Sequence, residues 1–264
     1  MEASERGIVT PDQLDGLNLS FGNAKALVSM VERIAYRHGD LAWLLGEGVN
    51  RAANDIGGAS SEIAMSTKGL EFPMHDPRFS WGQALSFATG NRGACHLSGF
   101  CHLFEMSTAL PELGYDEPFP RQQLKGKAGF VIALQHIMTL ADSLCLCKFA
   151  FINNAVSLSL FHLWFTQVSG VSCTLEEFLE YGERIFNLKR LINNSRGISR
   201  KDDELPIRMR TLKRKGPNYL HDVPPLNQML LDYYELRGWG EDGLPTNETL
   251  KRLKLTAYKK NDSA

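Results

Sequence analysis

The feature that most constrains this chain is an apolar stretch over residues 128–170, in which Asp142 and Lys148 are the only formal charges. A charge buried without a partner is costly, so these two side chains need a structural or chemical reason. The stretch predicts one or two buried helices over residues 127–168, with "FINNA" at 151–155 as a break. Its polar residues leave no run of about 18 apolar residues, so no membrane span is expected.

Apolar residues spaced by three and four positions predict further helices. Asn23 is a suitable N-cap for a helix over residues 23–38, and Gly39 a suitable residue after its end. Thr174 and Glu177 form a capping-box pair that opens a long helix. The other expected elements are a helix from Leu41 to about residue 57, an irregular segment at 62–95, a polar connector at 194–224, a helix stopped by Gly238, and a short helix at 246–255. Alternation long enough for a sheet does not occur, so the fold class is mainly α.

Charge and cysteine content narrow the function classes. The net charge is −1, so no global positive field attracts nucleic acid or anionic lipid, and neither is an expected partner. The basic segment "IRMRTLKRK" at 207–215 is typical of a solvated face. The five cysteines do not form a disulfide framework, which favours a reducing compartment. Because no apolar run follows the N-terminal charges, a secretory signal is not expected and we predict a cytoplasmic protein.

The segment "ADSLCLCKF" places Asp142, Cys145, Cys147 and Lys148 together. In one interpretation the thiols are small buried hydrophobes and Lys148 pairs with Asp142 across a helical turn. In the other they belong to a metal site, although two cysteines are fewer than the four ligands that zinc or an iron–sulfur cluster usually needs. Further ligands would come from Cys95, Cys101, His96 and His102.

A second group of polar residues lies in the glycine-rich segment 68–99. Gly90 and Gly93 permit close approach of the backbone to a ligand. Histidine beside a carboxylate is suited to acid–base chemistry near neutral pH, and a polar surface loop is the alternative. The residues concerned are Glu71, His75, Asp76, Arg78, Arg92, Cys95 and His96.

These motifs resemble those of the aldehyde:ferredoxin oxidoreductase family, whose members carry tungsten or molybdenum on two pterins. "KGLEFPMHDPRFSWGQALSFATGNRGACHL" is similar to a family loop that runs from KGLE through DPR to CH. "ADSLCLCKF" resembles its second pterin and cluster motif, usually D-x-x-G-L-C. "SRKDDELP" and "MLLDYYELRGWGEDGLPT" resemble its C-terminal signature. The resemblance covers residues 7–255 in family order.

The resemblance implies roles for the charges and thiols of "ADSLCLCKF". Asp142 would hydrogen-bond a pterin ring, the main chain at Leu146 would help to orient that ring, and Lys148 would lie near the pterin or cluster. Cys147 would be a ligand of a [4Fe–4S] cluster. His96 matches a family histidine near the metal that binds substrate or moves a proton, and Glu71 is the second catalytic candidate.

The chain departs from the family pattern in two respects. Cys145 stands where the motif has glycine, a residue that allows backbone geometry which cysteine resists. The sequence also contains no C-x-x-C-x-x-x-C run for the other three cluster ligands and no first pterin motif, so the N-terminal cofactor-base domain is expected to be absent. Residues 1–66 would be part of the middle helical domain, and residues 67–264 the C-terminal helical domain.

The implied activity is the oxidation of aldehydes to carboxylic acids, with electrons passed through the cluster to ferredoxin. The chain alone is expected to be inactive and to need a separately encoded N-terminal half, unless it is a fragment or a decayed remnant. Ferredoxin, an aldehyde and a possible second copy are the other expected partners. The alternative is a non-catalytic helical interaction module that has lost its cofactors.

Overall fold

The computed structural model describes residues 1–214 and 222–259. These residues form a mainly helical fold, as the sequence predicted, and they include a two-stranded antiparallel sheet that the sequence did not predict. The helices are α1 (Glu2–Glu5), α2 (Ala24–Tyr36), α3 (Asp40–Leu45), α4 (Val49–Ile56), α5 (Ser60–Ile63), α6 (Trp81–Thr89), α7 (Cys101–Phe104), α8 (Lys127–Ser143), α9 (Leu158–Ser169), α10 (Leu175–Ser195), α11 (Ile207–Thr211), α12 (Leu226–Arg237) and α13 (Asn247–Arg252). The strands are β1 (Ser66–Thr67) and β2 (Leu70–Glu71).

The predicted helix ends are largely confirmed. The Asn23 side chain accepts a hydrogen bond from the Ala26 N–H and caps α2. Thr174 and Glu177 form both hydrogen bonds of the capping box that opens α10. Gly238 ends α12 in the left-handed conformation. The end of α2 differs, since Arg37 takes the left-handed cap position that the sequence assigned to Gly39.

The prediction that residues 62–95 are irregular is wrong over much of the segment. It contains the hairpin of β1 and β2 and all of α6, whose N-terminus is capped by Ser80. Every residue of α6 except Trp81 is buried, so the helix lacks the one-sided polarity on which sequence patterns depend. The helix predicted from Leu41 to 57 is two helices, because the chain turns at Gly48 with φ 93°.

The apolar stretch 128–170 contains two α-helices separated by a 3₁₀ helix, where the sequence predicted one or two helices with a break. Helix α8 ends at Ser143, a 3₁₀ helix spans Lys148–Asn154, and α9 begins at Leu158. The break predicted at "FINNA" is present, with Asn153 and Asn154 both in the left-handed region. The predicted connector 194–224 contains α11. Part of that connector and the last residue of the basic segment 207–215 lie outside the described residues.

Helix α8 is the centre of the core and packs against α6, α10 and α12. At Gly182 of α10, an added Cβ would stand 2.5 Å from the His136 carbonyl oxygen of α8, so the close crossing of these helices needs glycine. Valine, leucine, isoleucine and phenylalanine side chains fill the interior around α8, among them Leu85, Phe87, Phe130, Val131, Leu134, Ile137 and Phe178. This packing holds the C-terminal end of α8 against the loop after α6.

A buried ionic network joins distant sequence motifs. Asp203 accepts two hydrogen bonds from Arg190, each of 2.8 Å, and one of 2.5 Å from the Tyr234 hydroxyl. The Lys68 ammonium lies 2.8 Å from the same carboxylate. Lys68 belongs to "KGLE", Asp203 to "SRKDDELP" and Tyr234 to "MLLDYYELRGW". These three sequence signatures therefore meet at one carboxylate in the interior.

A smaller hydrophobic cluster near the N-terminus is separate from the main core. It is formed by Val9, Leu14, Leu19, Ala26, Met30 and Leu41. The predicted division of the chain at residues 66 and 67 stays a prediction. No helix within the two described ranges is long and apolar enough to cross a membrane.

Candidate functional site

A cavity of 390 Å³ lies where the end of α8 meets the loop after α6 and the middle of α10. Four of its lining residues are the ones to which the resemblance assigned the cofactor, Asp142, Leu146, Cys147 and Lys148. Thr139 and Phe149, which flank these residues in the chain, also line the cavity, and the remaining lining residues come from distant segments: Asn91, Arg92, Cys95, Leu97, Ser98, Phe186 and Lys189. The fold therefore brings the four predicted cofactor-binding residues to one concave surface.

The local backbone explains how the motif opens toward the cavity. After Ser143 the chain leaves the helix, and the Leu146 N–H turns back to donate to the Ala141 carbonyl over 2.8 Å. Cys145 makes this turn possible by adopting φ 56°, in the left-handed region. A residue with a Cβ is strained there, which is the physical reason that glycine suits this position. The Leu146 N–H is therefore used internally and is not available to a ligand.

Asp142 is less buried than the apolar stretch suggested, since 54% of its side chain is exposed. Lys148 is the buried partner, with 8% of its side chain exposed. Its ammonium lies 2.8 Å from the Asp142 carboxylate and donates a 2.8 Å hydrogen bond to the Leu97 carbonyl. The two charges do pair, but across the turn between α8 and the 3₁₀ helix, not within one helix. Lys148 thereby ties the motif to the loop after α6.

The five cysteines, all free thiols, have different surroundings. Cys147 is exposed and lines the cavity, and Cys95 lines the same cavity with its sulfur 3.9 Å from the Arg92 guanidinium. Cys145 is exposed and does not line the cavity. Cys101 is buried, and burial raises the pKa of its thiol far above the usual range. Within the described ranges, no three histidine, cysteine or acidic side chains are arranged to hold a metal ion by themselves.

The cavity has a positive character that the sequence did not reveal. Arg92 and Lys189 line it beside Lys148, and Asp142 is the one acidic residue in its lining. Arg92 comes from the loop after α6 and Lys189 from α10, so they are far apart in the chain. No spacing rule connects Lys189 with the motif at 142–148, and its role becomes visible in the tertiary structure alone. An excess of cationic side chains suits an anionic ligand.

His96 lies next to the cavity-lining Cys95 and is not itself part of the lining. Its ring contacts that of His75, with 4.8 Å between the centroids. Burial lowers the pKa of His96, and the Lys148 ammonium and any proton on His75 act in the same direction. The ring of His96 is therefore a neutral imidazole near pH 7, able to accept a proton.

The second catalytic candidate, Glu71, is in a different place. It belongs to β2, is exposed, and accepts a 3.0 Å hydrogen bond from the Val49 N–H at the start of α4. Backbone hydrogen bonds lower the pKa of this carboxyl group. In the described structure Glu71 caps a helix and does not line the cavity.

Comparison with known proteins identifies both the fold and the family of this chain. A solved structure of the active-site complex of benzoyl coenzyme A reductase with 1,5 dienoyl-CoA matches with a TM-score of 0.70, over 97% of this chain and 42% of that chain. The identity is 20%, so this likeness shows a shared fold. The family model "aldehyde ferredoxin oxidoreductase, domains 2 & 3" matches residues 1–255. The chain therefore belongs to the aldehyde ferredoxin oxidoreductase family, and the resemblance seen in its motifs is confirmed.

Similar curated proteins agree with this assignment. A tungsten-containing aldehyde ferredoxin oxidoreductase of Thermococcus kodakarensis is 35% identical over 98% of this chain and 41% of its own length. That of Pyrococcus furiosus is 34% identical over the same shares. An aliphatic sulfonate oxidoreductase, WOR-like subunit, of Pyrococcus furiosus is 27% identical over 98% of this chain and 39% of its own length. The chain thus spans about two fifths of the relatives that it matches.

Proposed function

We propose that this chain is the C-terminal part of a tungsten-dependent oxidoreductase that converts aldehydes to carboxylic acids and passes the electrons to ferredoxin. In the overall reaction, an aldehyde and water give a carboxylic acid, two protons and two electrons. Family membership and the names of the most similar relatives support the reaction, and those names favour tungsten over molybdenum. The N-terminal part of the enzyme would come from another polypeptide or another part of a longer chain.

The observation that carries this proposal is the cavity at the end of α8, which gathers Asp142, Leu146, Cys147 and Lys148. The chemistry of its donor set fits a metal-pterin. A pterin ring offers N–H donors, which the half-exposed Asp142 carboxylate can accept. The cofactor is anionic, and Arg92, Lys148 and Lys189 supply positive charge. When bound, the metal-pterin would supply the two-electron chemistry, and the cluster would pass electrons onward.

The chain's own residues would bind and orient these groups. Lys148 would hold the Asp142 carboxylate in position, leaving an oxygen of that carboxylate for the pterin edge. The exposed Cys147 would anchor one iron of a [4Fe–4S] cluster, and a complete cluster needs three more ligands from outside this cavity. His96 would accept one of the two protons released from the substrate and pass it to solvent. The position of Glu71 at the α4 N-terminus supports a structural role for that residue.

The alternative proposal is a non-catalytic helical module that keeps the fold without the cofactors. The lack of the other three cluster ligands favours this alternative, since no C-x-x-C-x-x-x-C run occurs in the given sequence. The two proposals differ in metal content when the chain meets a polypeptide that carries that run.

The test is anaerobic co-expression of the 264-residue chain with such an N-terminal polypeptide, followed by iron and tungsten analysis of the purified complex. We expect both metals with the native chain and a clear loss of iron with Cys147→Ser. Cys145→Ser is the matched control, because Cys145 is also exposed and lies two positions away but does not line the cavity. Equal iron in both variants would refute the assignment of Cys147, and a metal-free complex would favour the interaction module.

A further inference from the structure

Three histidine rings from three separate segments form a contiguous stack. His75 comes from the loop between β2 and α6, His96 from the loop after α6, and His102 from α7. The ring centroids are 4.1 Å apart for His75 and His102, 4.8 Å for His75 and His96, and 6.0 Å for His96 and His102. His75 therefore lies in contact with both other rings. Separations of this size are those of packed aromatic pairs.

The inner end of the stack is fixed by a buried amide. His102 Nδ1 lies 3.0 Å from the Oε1 of Gln83, a fully buried residue of α6. An amide oxygen accepts hydrogen bonds, so the contact is a hydrogen bond when the proton of His102 is on Nδ1. Phe100 packs edge-on against His102, with 5.2 Å between the ring centroids. The ring of His102 is therefore held on two sides, and it fixes His75 in turn.

The surroundings of the stack disfavour a positive charge on any of its rings. Burial is the main cause that lowers the pKa of all three histidines, and together with His75 and His96 it lowers the pKa of His102 to about 4. The Lys148 ammonium acts on His96 with the same sign. Asp76, next to His75 in the chain, is the nearest carboxylate in sequence and is bound by Arg78 and Arg214.

We propose that His75 and His102 are positioning residues that hold His96 as an oriented, neutral imidazole ready to accept a proton. Among the described residues these rings are not part of any group of histidine, cysteine or acidic side chains arranged to hold a metal ion. A second proton would place two positive charges on rings that contact each other, and like charges at that distance repel. The stack therefore takes up one proton at a time.

This inference rests on the proposed role of His96, but its test needs neither cofactor nor substrate. The full chain is labelled with ¹³C,¹⁵N-histidine, and the titration of His96 is followed by NMR, with His96→Gln giving the assignment. We expect His96 in the native chain to titrate below its ordinary pKa. His75→Ala admits water to the ring and raises that midpoint by about half a pH unit. His75→Phe keeps an aromatic neighbour and gives a smaller rise.

His162→Ala is the control, because His162 lies outside the stack and contacts the Cys173 carbonyl. It is expected to leave the His96 midpoint unchanged. The inference is overturned if His96 titrates at or above its ordinary pKa in the native chain, or if both His75 variants leave its midpoint where it was. Metal content in the co-expression experiment tests the proposed function separately, so failure of one is distinguishable from failure of the other.

Discussion

The carboxylate of Asp203 is fully buried and is bound by Arg190, Lys68 and Tyr234. Its partners Arg190 and Lys68 are themselves buried, with 0% and 2% of their side chains exposed. Asp203→Asn keeps the shape of the side chain but removes the negative charge, so two cations remain in the interior without compensation. Removing one member of a buried ion pair costs about 3–5 kcal/mol. For a chain of this size we expect a fall in Tm of roughly 6–20 °C.

The assay is thermal and urea denaturation of the full chain, followed by circular dichroism. Tyr234→Phe deletes one hydrogen bond to the same carboxylate and should cost less, about 1.5–3 kcal/mol. Glu180→Gln, in the partly exposed pair with Arg184, is the matched control and should change stability by less than about 1 kcal/mol. If Asp203→Asn and Glu180→Gln have the same Tm, the network does not hold the fold together in the way described.

The contribution of Asp203 also has a defined pH dependence. Burial raises the pKa of this carboxyl group, but Lys68 and Arg190 outweigh burial, and the net pKa lies below its ordinary value. A carboxyl group with a lowered pKa stabilises the fold above its unfolded-state pKa and loses that contribution as the pH falls through the folded-state pKa. The stability difference between the native chain and Asp203→Asn should therefore be full at pH 6 and shrink below about pH 4.

Other expected outcomes concern two backbone positions. Cys145→Gly should raise the Tm by about 2–4 °C, because φ 56° costs a residue with a Cβ about 1 kcal/mol; an unchanged or lower Tm would contradict this. Gly182→Ala should destabilise by about 1–3 kcal/mol, because the new Cβ would meet the His136 carbonyl of α8. Gly129→Ala in α8 is its control, since the nearest atom, on Leu236, is 3.9 Å away; equal melting of the two variants would argue against the close helix crossing.

The sequence by itself determined the helical class, several helix ends and the importance of one short motif. Caps such as Thr174 with Glu177 depend on side chains within a few positions of each other, so local spacing is sufficient to predict them. The glycine expected in place of Cys145 could be inferred from the motif, and the left-handed backbone there gives the physical reason. Helix α6 escaped prediction because a helix buried on nearly all sides has no polar face.

Tertiary structure alone decided which distant residues share a site. The hydrogen bond from Lys148 to the Leu97 carbonyl, the position of Lys189 at the cavity, and the contacts of His75 with His96 and His102 all join segments far apart in the chain. No local pattern encodes such contacts, because they depend on how α6 and α10 pack against α8. The sequence identified the residues within the motif "ADSLCLCKF", whereas the packing of the core determined which distant residues lie beside that motif in space.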